Sequence, residues 1–178
     1  MRRLSVVVAI LLVAGLTLAQ APAGPPKPGP EQKRMEYFAG KWTGTGEMKA
    51  SPFGPAGKMT STETCTWFAG GFSLVCNSTG TMAGLGEMKG MGTWSYDREN
   101  KVYVYHAVNS MGEVEHATGT VNGKVWTWTD SGKKDGKPFK GTFTITEDSA
   151  SSYSYKWEAS IAGGPKTLIM EGKATKSK

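Results

Sequence analysis

The chain is poor in the residues on which most enzymatic and metal chemistry depends. Its 178 residues include two histidines and two cysteines. No G-x-S-x-G elbow, H-E-x-x-H pair or Gly-rich phosphate loop ahead of a helix occurs anywhere. The thioether-plus-imidazole chemistry that favours soft metals would need a methionine run or a second convergent histidine, and neither is present. No cofactor and no metal is therefore expected. From Lys41 onward no segment carries a helical period, which excludes helical bundles and α/β folds. The formal net charge is +6, but the lysines are spread along the chain. Without a basic stripe interleaved with aromatics, a nucleic-acid partner is not expected.

Only one long apolar run exists, Leu4 to Leu18, behind Arg2 and Arg3 and ahead of small residues around Ala19. It is shorter than the roughly 20 residues a spanning helix needs. It reads as a secretory signal peptide, residues 1–19, cleaved after Ala19. No cysteine follows for lipid attachment, and Arg2-Arg3 lacks the rest of a twin-arginine signal. Losing those two arginines lowers the charge by two, to +4. The expected location is periplasmic or extracellular, with no transmembrane segment in the mature form. Residues 20–30, rich in proline and glycine, read as an extended tether. Residues 31–178 suffice for one domain with its own core.

In that domain, short runs rich in Thr, Tyr, Trp and Val alternate with Gly, Asn and Asp turns, about ten strands in all. Each run is joined to the next by a connection short enough for a hairpin. The expected fold is all-β, a single up-and-down antiparallel barrel. "PEQKRMEYF" supplies about two helical turns ahead of it, with a proline at the start, and Met35 and Phe38 would plug one end.

The stretch "CTWFAGGFSLVC" places both cysteines symmetrically about Gly70-Gly71. A turn there faces Cys65 with Cys76 and Trp67 with Leu74, on the apolar face. A two-residue turn makes the cysteines a hydrogen-bonded pair and a four-residue loop the closer kind; both allow a disulfide, which an oxidising compartment would form. The same parity puts Trp42, Gly44, Gly46 and Met48 inward, with Met48 meeting Met59. It puts Met88, Gly90, Gly92 and Trp94 inward, then Val102, Val104 and His106 across the "YDRENK" turn. The next join is open. A three-residue "SMG" loop pairs His106 with His116, whereas a four-residue "NSMG" loop pairs His106 with Glu115. The "VNGK" hairpin ties Ala117 and Gly119 to the face of Trp126 and Trp128. Only the four-residue loop keeps those tryptophans inside with Trp94, and it leaves Tyr105 and His116 outside. Phe139, Gly141, Phe143 and Ile145 follow inward, then Tyr153, Tyr155, Trp157 and Ala159, then Leu168, Met170 and Gly172. The longer Gly/Pro loops, including "KASPFGPAGK" and "DSGKKDGKP", collect at one end, the expected mouth.

"FAGKW" followed by "TGTGEM" looks like the Gly-x-Trp opening of calycin barrels, the superfamily of lipocalins and fatty-acid-binding proteins. Together, "PGPEQKRMEYFAGKWTGTGEM", "FAGGFSLVC", "GMGTWSYDRENKVYVY" and "NSMGEVEHATGTV" resemble the bacterial family called domain of unknown function 1579. The resemblance spans nearly all of the mature chain. It implies a calycin-like barrel and no assigned activity. Related nitrobindin-like barrels hold haem through a late histidine, whereas His106 and His116 lie mid-chain, so the resemblance does not extend to haem.

The inward aromatic set, Trp42, Trp67, Trp94, Trp126, Trp128, Tyr155 and Trp157, would line a cavity for a small apolar or aromatic ligand; the plainer reading is a solid core. Met48, Met59, Met82 and Met88 would form a deformable apolar mouth. Glu63, His106 and Glu115 are the charged or ionisable candidates inside, and a carboxylate beside an imidazole could orient a polar ligand group or act as an acid/base pair. The expected function is an exported small-molecule-binding protein. The alternatives are a solid-barrel structural or interaction module of the cell envelope, or a hydrolase or isomerase using His106 with Glu115. Oligomeric state is not legible.

Overall fold

The computed structural model describes residues 24–82 and 84–177; the signal peptide expected at 1–19 and the first residues of the tether lie outside them. Ten antiparallel strands form one closed barrel. They are β1 (Gly40–Met48), β2 (Gly57–Trp67), β3 (Ser73–Met82), β4 (Gly86–Asp97), β5 (Val102–Asn109), β6 (Val114–Asn122), β7 (Val125–Lys134), β8 (Lys137–Ser149), β9 (Ser152–Ile161) and β10 (Thr167–Lys176). Each pairs with its chain neighbour, and β1 with β10 closes the sheet, which removes both edges.

A short helix, α1 (Pro30–Arg34), and a 3₁₀ turn, Met35–Phe38, close one end. Pro30 starts the helix where its missing N–H costs nothing. Met35 and Phe38 are fully buried in the barrel end, among Trp94, Trp126 and Tyr103. Polar contacts fix this plug. The Arg34 guanidinium binds Glu147 and lies 4.9 Å from the Trp126 ring. Tyr37 donates to the Ser152 carbonyl at 2.7 Å, and Trp42 Nε1 donates to the Phe38 carbonyl at 2.9 Å. Arg98, in the β4–β5 turn, donates to the Lys27 carbonyl and so holds the last part of the tether against the barrel.

The Cys65–Cys76 disulfide is formed, with Cα atoms 4.0 Å apart, on directly opposed residues of β2 and β3. The loop is the four-residue form, since Phe68 and Ser73 are still bonded across it, and the cysteines are accordingly the closer kind of pair.

Several expected registers differ. Trp42 lies opposite Glu63 and Gly46 opposite Met59, so β1 is displaced by two residues against β2 and Met48 meets Gly57. Because two residues is one full side-chain period, no face changes. The same is true at β6–β7, where Asn122 pairs with Val125 and Gly119 lies opposite Trp128. The expected long loop "DSGKKDGKP" is strand almost throughout: Asp135 and Gly136 alone turn the chain, both at positive φ, as a tight Asp-Gly hairpin requires. In β10 a bulge between Leu168 and Met170 buries Ile169 and turns Leu168 outward, opposite Glu158.

The largest correction is in β5. Asp97 pairs with Val102, so the β4–β5 loop has four residues and Trp94 faces Tyr105. Lys101 takes a positive φ, and the Asp97 carboxylate accepts the N–H groups of Glu99 and Asn100. Tyr103, Tyr105 and Ala107 therefore point inward; Val102, Val104 and His106 point outward. The next loop is the three-residue form, with Asn109 bonded to Glu113 and Gly112 left-handed, so His106 pairs with His116. The two one-residue differences cancel beyond β5, which leaves Glu115, Ala117, Trp126 and Trp128 on the inner face as expected.

Candidate functional site

The interior is divided. Toward the plugged end it is solid. Trp42, Trp94, Trp126 and Trp128 are buried and in ring contact with Phe38, Tyr103 and Tyr153. Trp67 also belongs here, its indole N–H donating to Glu36, and Trp126 Nε1 donates to Glu147 at 2.6 Å. These five tryptophans, expected to line a cavity, instead make its floor. Gly119 permits the packing, because a Cβ there would fall 2.6 Å from the Trp128 ring. The indole N–H groups of Trp94 and Trp128 have no partner among the described residues.

Toward the mouth the two sides of the barrel differ. On the β8–β10 side, the β1–β2 loop folds Phe53 over the opening, 5.2 Å from Phe139 and 4.7 Å from Trp157 between ring centroids. Tyr155, also on this side, stacks on Phe143. On the β2–β6 side a cavity of about 150 Å³ remains, with Met59, Ser61, Glu63, Ser78, Met82, Met88, Tyr105, Ala107 and Glu115 on its walls. Three of the four expected mouth methionines meet here. The fourth, Met48, is buried beneath the β1–β2 loop, its methyl beside Gly54.

Of the expected ionisable set, Glu63 and Glu115 reach this cavity. His106 does not. It lies on the outer wall, exposed, with its Nδ1 3.2 Å from that of His116. His106 and Glu115 therefore sit on opposite faces of the sheet, and no acid/base pair exists between them. The imidazole is likewise separated from the inward thioethers. Glu63 lies near the sulfurs of Cys65 and Cys76, but those sulfurs are bonded to each other and are not metal ligands.

Sequence reasoning missed Tyr105, which faces inward once β5 is inverted, and Asp130. The signal for Asp130 was present, since Trp126, Trp128 and Asp130 follow one another at a spacing of two. Gly141 lies opposite Asp130 and leaves room for it; a Cβ there would collide with Asp130 Oδ1 and Trp157 Nε1. Trp157 Nε1 donates to Asp130 at 3.3 Å.

Burial dominates the electrostatics. It pushes the Glu63 carboxyl up to about 7. Glu115 keeps an exposed side, yet partial burial of its carboxyl raises it, aided by the charges of Glu113 and Asp130; burial also raises Asp130 against the hydrogen bond from Trp157. The phenol of Tyr105 is pushed up by burial and then by Glu115 and Glu63; that of Tyr153 by burial and then by Glu63, Tyr155 and Tyr37. Each case follows from removing charge from water without supplying an opposite charge.

A closed, up-and-down ten-stranded barrel, plugged by an N-terminal helix and hollow beneath one side of its mouth, has the architecture of a calycin-like barrel. This chain belongs to the family described as protein of unknown function DUF1579, whose model matches residues 27–176. Among curated proteins none matches. The barrel is similar to the crystal structure of Rv2717c from M. tuberculosis (TM-score 0.59, 16% identity, covering 84% of this chain and 99% of that one). It is also similar to the S-type phycobiliprotein lyase CPES from Guillardia theta (TM-score 0.56, 12% identity, covering 83% of this chain and 93% of that one). At these identities the likeness is one of fold.

Proposed function

We propose that this is an exported binding protein that takes the apolar part of a small molecule into the half-barrel cavity. The observation that carries the reading is the asymmetry of the interior. Aromatic side chains fill the plugged half and Phe53 covers one side of the mouth, yet the space between Met59, Met82, Met88, Tyr105 and Ala107 stays unfilled. Interiors normally pack to crystal-like density, and a cavity of about 150 Å³ is the size that accepts a benzene ring. Flexible methionines around it can adjust to more than one apolar shape. Leu4 to Leu18, with the small residues at Ala19, supports export; the protein recovered outside the cytoplasm should begin at Gln20, and retention of Met1 would count against it.

Toluene, a neutral probe of the right size, should bind the purified protein and perturb NMR signals of Tyr105 and Met88. Ala107→Phe, which fills the space, should abolish that response without unfolding the barrel. Absence of toluene binding to the native protein, or binding unaffected by Ala107→Phe, would overturn the reading.

A further inference from the structure

The chain carries 21 basic and 15 acidic residues, yet its charges are not shared evenly between the outside and the cavity. Glu63 and Glu115 line the cavity, and Asp130 lies close enough to act on Glu115. Among the described residues no lysine, arginine or histidine nitrogen lies within 4.0 Å of any of the three. Among the described residues Lys89 is the one basic residue at the cavity wall, and it sends its ammonium outward to Glu87 at 3.6 Å. His106 and His116, the two imidazoles of β5 and β6, pair with each other on the outer wall.

Glu63 sits deepest of the three. It lies between Trp42 on β1 and Ser78 on β3 and has no hydrogen-bond partner among the described residues. A carboxylate enclosed without a cation or donor is costly. A barrel that needed only an apolar lining could place threonine or leucine there.

We infer that the cavity selects organic cations: an apolar body among Met59, Met82, Met88 and Tyr105, with a protonated amine set between Glu63 and Glu115. This rests on the cavity being a ligand site and names the class of ligand. The amine would supply the missing positive charge and N–H donors, as charge-assisted hydrogen bonds require. The Tyr105 ring and the thioethers offer polarisable surface to the adjacent carbons, and an aromatic face attracts a cation directly. Anions are disfavoured by the same carboxylates, although the chain as a whole is basic.

Three probes of one size separate the possibilities: benzylammonium, neutral benzyl alcohol and benzoate, titrated by NMR into the purified protein at pH 8. Benzylammonium should bind about tenfold or more tightly than benzyl alcohol, and benzoate should be weakest. In Glu63→Gln/Glu115→Gln the cation should lose that advantage while benzyl alcohol keeps its affinity. Glu87→Gln, on the outer wall, should change none of the three. If benzyl alcohol binds as tightly as benzylammonium, or if the cation preference survives in the double variant, the cation inference fails and the cavity reading stands. If none of the probes binds, both fail. The ordering in the native protein decides the matter even if the double variant does not fold.

Discussion

Replacing Glu63 with glutamine should make the folded protein more stable above neutral pH and leave it nearly unchanged near pH 4. Burial raises the Glu63 carboxyl from its ordinary 4.5 to about 7. The folded state therefore holds this proton more tightly than the unfolded state does, and between those two values it binds more protons. Stability must fall as pH rises through that interval. Above it both states are ionised and the full cost is present. At about 1.4 kcal/mol per pKa unit the cost is on the order of 3 kcal/mol. For a domain of this size that corresponds to a melting temperature higher by about 6–12 °C in Glu63→Gln at pH 8. Urea denaturation of both proteins at pH 4, 6 and 8 is the assay. A shallower slope should remain in the variant, because Glu115 and Asp130 are raised in the same direction. Equal stability of the two proteins at pH 8, or a stability loss on substitution at every pH, would refute the reasoning and place an unseen partner on Glu63. The gain also bears on function, since a group kept at a stability cost is what a binding site shows when activity and stability compete.

Breaking the Cys65–Cys76 bridge, with a sequence separation of 11, should cost about 3 kcal/mol by the loop-entropy relation; thermal unfolding of Cys65→Ser/Cys76→Ser against the oxidised protein measures it. Thiol titration of the denatured, unreduced protein should find no free thiol, and two free thiols would remove the staple. Phe38→Ala should cost about 3–5 kcal/mol, because its ring lies 4.5 Å from Trp94 and 5.1 Å from Trp126 between centroids. Denaturant unfolding checks this, and a loss under 1 kcal/mol would mean that the plug does not hold the closed end.

Period-two alternation, turn residues and the mirrored cysteines are local properties, and they were enough to specify ten strands, hairpin connectivity, the disulfide and the inner face of every strand but β5, save at the β10 bulge, where Leu168 turns outward and Ile169 is buried. Face assignment survived where the register slipped by two residues, because Trp42 opposite Glu63 and not Cys65 is a displacement by one whole side-chain period. Strand β5 was not decidable in this way. "VYVYHAV" is apolar on both faces, and the turn before it carries no glycine to set its length. Either Tyr103 and Tyr105 or Val104 and His106 could have faced the core on pattern alone. Packing decided it: Tyr103 fills the space beside Trp126, at 4.8 Å between ring centroids, and Tyr105 meets Trp94 at 5.7 Å. The division of the interior into a solid floor and a cavity was likewise beyond any single strand's pattern, since an inward tryptophan reads the same whether it meets another ring or open space. Which rings meet depends on barrel closure through β1 and β10, on the N-terminal plug and on the loop that carries Phe53 across the mouth. The environment of Glu63 follows from the same long-range contacts, because its missing cation is a property of every wall facing it and not of the residues on either side of it in the chain.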